Sequence, residues 1–204
     1  MFTGYYAKVK GESIFRIGNT KLSKSVLILN MTSAKDCVAK NMGLCSVANI
    51  CYARKPEIQY PDVLKFRNRQ AKYWDDTHYA QIFSDICDIV KRRKYIKYFR
   101  LNESGDFRSA FDVAKLDKLA KALKTIGIKT YCYSARKDLK FGGVSFNVRL
   151  SGIAQASIKA QGMAVVIKTG AKAPKGAYIC PGKGCGDTCK FCMESKRSVG
   201  FAQH

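Results

Sequence analysis

Two spacings of apolar residues alternate along the chain. Val26-Leu27-Ile28-Leu29 is a continuous apolar run between Ser25 and Asn30, with the length and flanks of a buried strand. Over residues 78–93, Tyr79, Ile82, Phe83, Ile86, Ile89 and Val90 recur every three or four positions, which makes one apolar stripe on a helix. Residues 62–74 repeat the pattern more weakly, with Lys65, Arg67, Arg69 and Lys72 giving that helix a basic face. A third helix starts at Ser109, with Asp112 placed three residues on as in a capping box, and stops at Gly127. Its buried positions are Val113, Leu116, Ala120 and Leu123.

Further strands are predicted at 95–101, 128–133, 144–150 and 163–167, and residues 1–24 read as a hairpin or irregular lead-in. Strands separated by helix-length segments imply parallel βαβ units. The predicted fold is α/β: an open or partial (β/α) barrel with a mainly parallel sheet and a C-terminal cysteine-rich, metal-binding segment. Residues 1–175 form the partial barrel with an N-terminal three-cysteine loop, and residues 176–204 pack on it.

Cysteine usage changes the picture most. Nine cysteines occur in 204 residues, and residues 1–24 lack the charged-then-apolar layout of a signal peptide. The expected compartment is the cytoplasm, where thiols stay reduced and clustered cysteines signal metal binding or catalysis before disulfides. Cys180, Cys185, Cys189 and Cys192 are separated by four, three and two residues. Gly182, Gly184 and Gly186 allow tight turns between them. Four thiolates at such spacing suit a tetrahedral zinc or a four-iron cluster. Cys37, Cys45 and Cys51 follow the first apolar strand, where α/β folds place their sites, and three thiolates leave one position open on a four-iron cluster. Tyr52 sets an aromatic ring beside that group. Cys87, on the edge of a helical stripe, reads as a small buried hydrophobe.

Other candidates gather at predicted strand ends. Glu103, Asp106 and Arg136 are candidate catalytic residues, and Arg100, Tyr133 and Ser134, with Tyr52, candidate cofactor-binding residues. Tyr131 belongs to the same layer. The same residues also suit turns and core packing. The two histidines, His78 and His204, form no constellation, which argues against histidine-based acid–base chemistry.

Lysine and arginine outnumber acids 37 to 15, a net charge of +22. Such a field attracts polyanions, so nucleic acid is the expected partner, although a solvated lysine-rich surface has the same composition. No apolar run is long enough to span a membrane.

The order Cys45…Cys51-Tyr52-Ala53-Arg54-Lys55, Tyr98-Phe99-Arg100…Glu103-Ser104-Gly105-Asp106-Phe107, Tyr131…Tyr133-Ser134 and Ile179-Cys180-Pro181 resembles the bacteriophage gene product 88 family, from about residue 20 to the end. That resemblance implies a phage protein in the host cytoplasm. The three cysteines after the first strand, the third followed by an aromatic, are more distantly similar to radical S-adenosylmethionine enzymes, whose cysteines are spaced by three and two residues rather than seven and five. This likeness implies a [4Fe-4S] cluster on Cys37, Cys45 and Cys51, with S-adenosylmethionine as cofactor.

Three expectations follow. One is an iron–sulfur enzyme of that type acting on or near nucleic acid, with a second cluster or zinc at the closing cysteines. Another is a non-catalytic zinc or iron–sulfur module that binds nucleic acid or a host protein. The third is one cluster shared by both cysteine groups.

Overall fold

The computed structural model describes residues 5–45, 47–151, 162–167 and 175–202. The lead-in is a hairpin of β1 (Tyr5–Val9) and β2 (Glu12–Ile17). It turns at Lys10 and Gly11, both at positive φ, as a two-residue hairpin turn requires. β2 pairs antiparallel with β3 (Val26–Leu29). From β3 the sheet becomes parallel, through β4 (Tyr98–Leu101), β5 (Lys129–Ser134), β6 (Asn147–Ser151) and β7 (Met163–Ile167). β8 (Tyr178–Ile179) and β9 (Val199–Ala202) complete it, with β9 inserted between β7 and β8. The architecture is mixed α/β with a mostly parallel sheet, and the first seven strands lie in chain order. Among the described residues β1 and β8 are open edges, so the strands do not close into a barrel.

Helices α3 (Pro61–Asp76), α4 (Tyr79–Arg92) and α5 (Ala110–Thr125) pack on one face. Leu27, Leu29, Phe99, Leu101, Cys132, Val148 and Leu150 point to that face and meet Trp74, Ile82, Ile86, Ile89, Leu116, Leu119 and Leu123. All four residues of β3 are buried because both faces of the sheet are covered there. The helix boundaries follow their caps. His78 accepts from the Ala80 N–H and Ser109 from the Phe111 N–H, while Gly127 ends α5 at φ +78°. Asp112 does not close a box on Ser109; it accepts from the Arg108 N–H and guanidinium and from Trp74 Nε1, tying α5 to α3.

The opposite face carries Arg16, Ile28, Arg100, Tyr131 and Asn147 in one register row, with Tyr133 beside Arg149 in the next. Residues 180–197 cross it as a strap. This strap contains the single-turn α6 (Phe191–Glu194), whose Met193 packs with Val26, Ile28, Tyr98 and Tyr131. Gly186 passes so close to the start of β3 that a Cβ would lie 2.6 Å from Ser25 Oγ and 2.8 Å from Val26 Cγ2.

Candidate functional site

The three-cysteine loop leaves the carboxyl end of β3 and is ordered by two short helices, α1 (Val38–Asn41) and α2 (Arg54–Gln59). Cys37 caps α1, Cys45 hydrogen-bonds back to the carbonyl of Ala39, and the Cys51 carbonyl accepts from the Arg54 N–H. All three thiols are half-buried. Burial, and then the nearby charges of Asp106 and Cys45, push Cys37 up to about 11. Cys45 is raised by burial and by the charges of Cys51 and Asp106. Cys45 thus lies within electrostatic range of Cys37 and of Cys51, and Asp106 on the β4 loop acts on Cys37 and Cys45, but among the described residues the three do not form a group that could hold a metal ion.

That loop is pinned to the cysteine loop. The Ser104 N–H donates to Asn30 Oδ1 and the Met31 N–H to Asn102 Oδ1. Gly105, at φ +77°, crosses against Thr32, whose carbonyl oxygen a Cβ would approach to 2.7 Å. Gly105→Ala is therefore expected to cost about 1–3 kcal/mol, read from urea unfolding at constant m-value.

Asp106 is 3% exposed and accepts from Ser134 Oγ (2.7 Å), the Phe107 N–H (2.8 Å) and the Ala135 N–H (2.6 Å). Arg136, also buried, forks onto Asp138 and donates to the carbonyls of Phe107 and Arg108. These partners account for both side chains within the fold, joining the β4 and β5 ends. Burial lifts the Asp106 carboxyl from 3.8 to about 6, against the lowering effect of its donors. The folded state then holds this proton more tightly than the unfolded chain. The Asp106 contribution to stability should therefore fall as pH rises from about 4 to about 6 and level off above, as urea midpoints across that range will read.

Glu103 receives Arg16 at 3.5 Å and the Asn19 amide, so the hairpin holds its carboxylate. Tyr52 has an exposed ring, but its hydroxyl is fixed, donating to the Glu103 carbonyl (2.6 Å) and accepting from Arg100 (3.2 Å). Tyr133 and Ser134 lie near the end of β5 as expected, Tyr133 with its ring 5.1 Å from the Arg100 guanidinium and Ser134 bonded to Asp106.

The closing cysteines lie on the strap. Cys185 pairs with the β2–β3 connection through Lys21 and Ser23, and Cys189 folds back on it. The Gly182 N–H reaches Cys180 Sγ at 3.4 Å, and Tyr178 Oη is 3.8 Å from Cys189 Sγ. Burial and the charges of Cys180, Cys192 and Cys189 push Cys185 up to about 11; burial raises Cys192. The four thiols thus sense one another. Among the described residues, no three Cys, His, Asp or Glu side chains already stand as a ligand shell.

Two guanidiniums act on two of these thiols. Arg149, fully buried, donates to the carbonyls of Phe191, Ser195 and Arg197, and the charge of Cys192 acts on it. Arg100 acts on Cys185 in the same way. Neither forms an ion pair with a carboxylate among the described residues. Nε of each, and the buried Tyr131 hydroxyl, have no hydrogen-bond partner.

Sequence reasoning passed over Arg149 and Glu57. Arg149 interrupts an apolar strand, and an arginine in mid-strand is the signal that marks it. Glu57 is buried in a segment read as loop. It accepts from the Ala34 and Lys35 N–H groups and from Arg67, which also donates to the Ala53 carbonyl.

A family model described as Gene product 88 matches residues 9–151, more than half of the chain. No curated protein and no solved structure matches. Nothing in these comparisons adds to the likeness with radical S-adenosylmethionine enzymes.

Proposed function

The chain belongs to the phage gene product 88 family, and we propose that it is a thiolate metalloprotein holding an iron–sulfur ([4Fe-4S]) or zinc centre on Cys180, Cys185, Cys189 and Cys192. One observation carries this reading: the buried Arg149 and the half-buried Arg100 act on Cys192 and Cys185, and among the described residues neither forms an ion pair with a carboxylate, Glu103 acting on Arg100 without one. Removing a charge from water is costly unless an opposite charge is near. Four thiolates around a divalent ion or a doubly charged four-iron cluster leave two net negative charges, which two guanidiniums balance. The Tyr131 hydroxyl and both Nε–H groups supply donors suited to thiolate sulfur. Ligation needs deprotonated sulfur, so metal uptake should release protons and strengthen as pH rises.

A second reading concerns Cys37, Cys45 and Cys51. Cys45, in electrostatic range of both Cys37 and Cys51 in the loop after β3, supports a further cluster with one open position, to which S-adenosylmethionine would be a candidate ligand.

Protein purified without oxygen and analysed for iron, sulfide and zinc tests both readings. The expected result is a metal content from which Cys185→Ser and Cys192→Ser each remove one centre, and from which Cys45→Ser removes a second if the three-cysteine loop also holds one. Colourless, zinc-free protein with every thiol open to a thiol reagent would overturn the first reading. Absence of 5′-deoxyadenosine after reduction with S-adenosylmethionine would remove the enzymatic form of the second.

A further inference from the structure

The amino-terminal edge of the parallel sheet carries charge that the fold leaves unused. Three loops meet there: the Lys97 N–H donates to the Ser25 carbonyl at 2.9 Å, and the Lys129 N–H to the Lys97 carbonyl at 3.0 Å. With the start of α6 they gather Lys24, Arg92, Lys94, Lys97, Lys124 and Lys190, all exposed. The nearby acids are taken: Glu194 by Lys129 (2.8 Å) and the Tyr98 hydroxyl, Asp88 by Lys91 (3.2 Å). None of the six cations forms an ion pair with a carboxylate among the described residues. Helix dipoles account for Arg92 and Lys124 at the ends of α4 and α5. They do not account for Lys94 and Lys97 from the loop before β4, for Lys190, the residue that precedes the strap helix, or for Lys24, whose ammonium lies over the exposed Tyr5 ring at 4.0 Å.

We propose that this edge docks double-stranded nucleic acid through its phosphates, without reading sequence. The reading is independent of any metal. Cations from four separate segments converge on one edge, as contact with a regularly charged backbone requires. Two large exposed aromatics stand among them, Tyr95 and the Tyr5 that Lys24 covers, whereas single-strand binders present several free stacking rings.

Fluorescence anisotropy with a short random-sequence DNA duplex over a salt series tests the proposal on the full chain. Arg92→Gln/Lys94→Gln/Lys97→Gln should weaken binding about tenfold or more near 0.1 M salt and lower the salt slope by about two to three. Lys35→Gln/Lys55→Gln/Lys65→Gln, which removes the same charge elsewhere, should change affinity less than about twofold. The charge-keeping variant Arg92→Lys/Lys94→Arg/Lys97→Arg should bind as the parent does. Equal losses in the two glutamine triples, salt-independent binding, or no binding at low salt would overturn the proposal. So would equal affinity for anionic phospholipid vesicles with the same variant pattern.

Discussion

Glu57→Ala should lower the unfolding free energy by about 3–5 kcal/mol, the range for breaking a buried ion pair from one side. Glu57 and Arg67 are 7% and 4% exposed and meet at 2.6 Å. The substitution strands the guanidinium in the interior with the Ala53 carbonyl as its remaining acceptor, and leaves the Ala34 and Lys35 N–H groups without theirs. Urea unfolding of the two proteins measures the difference. Glu57→Gln combined with Arg67→Met removes both charges and should recover part of the loss. A cost below about 1 kcal/mol for Glu57→Ala would mean that the cysteine loop is not held by this pair.

Loss of a strap ligand comes next in size. Where free metal exceeds its dissociation constant a thousandfold, binding contributes about 4 kcal/mol. Cys185→Ser and Cys192→Ser should each forfeit that amount in metal-replete buffer and show little change in chelator. Cys87→Ser, at a half-buried thiol on α4, serves as the control and should load metal normally. If the strap variants and Cys87→Ser unfold alike in metal-replete buffer, the metal reading fails.

The legible parts of the fold are those set by short-range pattern. The apolar stripe of α4 and the Ser109 cap of α5 lie within a few residues of the atoms they contact, so spacing alone locates them. The run at 26–29 is likewise recognisable as a strand, though not which of its residues face helices. Short elements were not legible: β8 has two residues and β9 contains a glycine, and their pairing depends on segments far apart in the chain. Asp106 and Arg136 show why a strand end is ambiguous. A carboxylate or guanidinium there can face a ligand or tie two loops, and composition is the same for both. Here their hydrogen bonds tie loops.

From its residues alone the protein was determined to be an α/β chain with a mainly parallel sheet, two cysteine groups and a strongly basic surface, because side-chain period, thiol spacing and charge are local or additive properties. Only the tertiary structure decided what covers the second face of the sheet. Gly186 reaches Ser25 across 161 positions, bringing the closing thiols over Arg100 and Arg149. That juxtaposition arises from burial between distant segments, and no spacing along the chain encodes it.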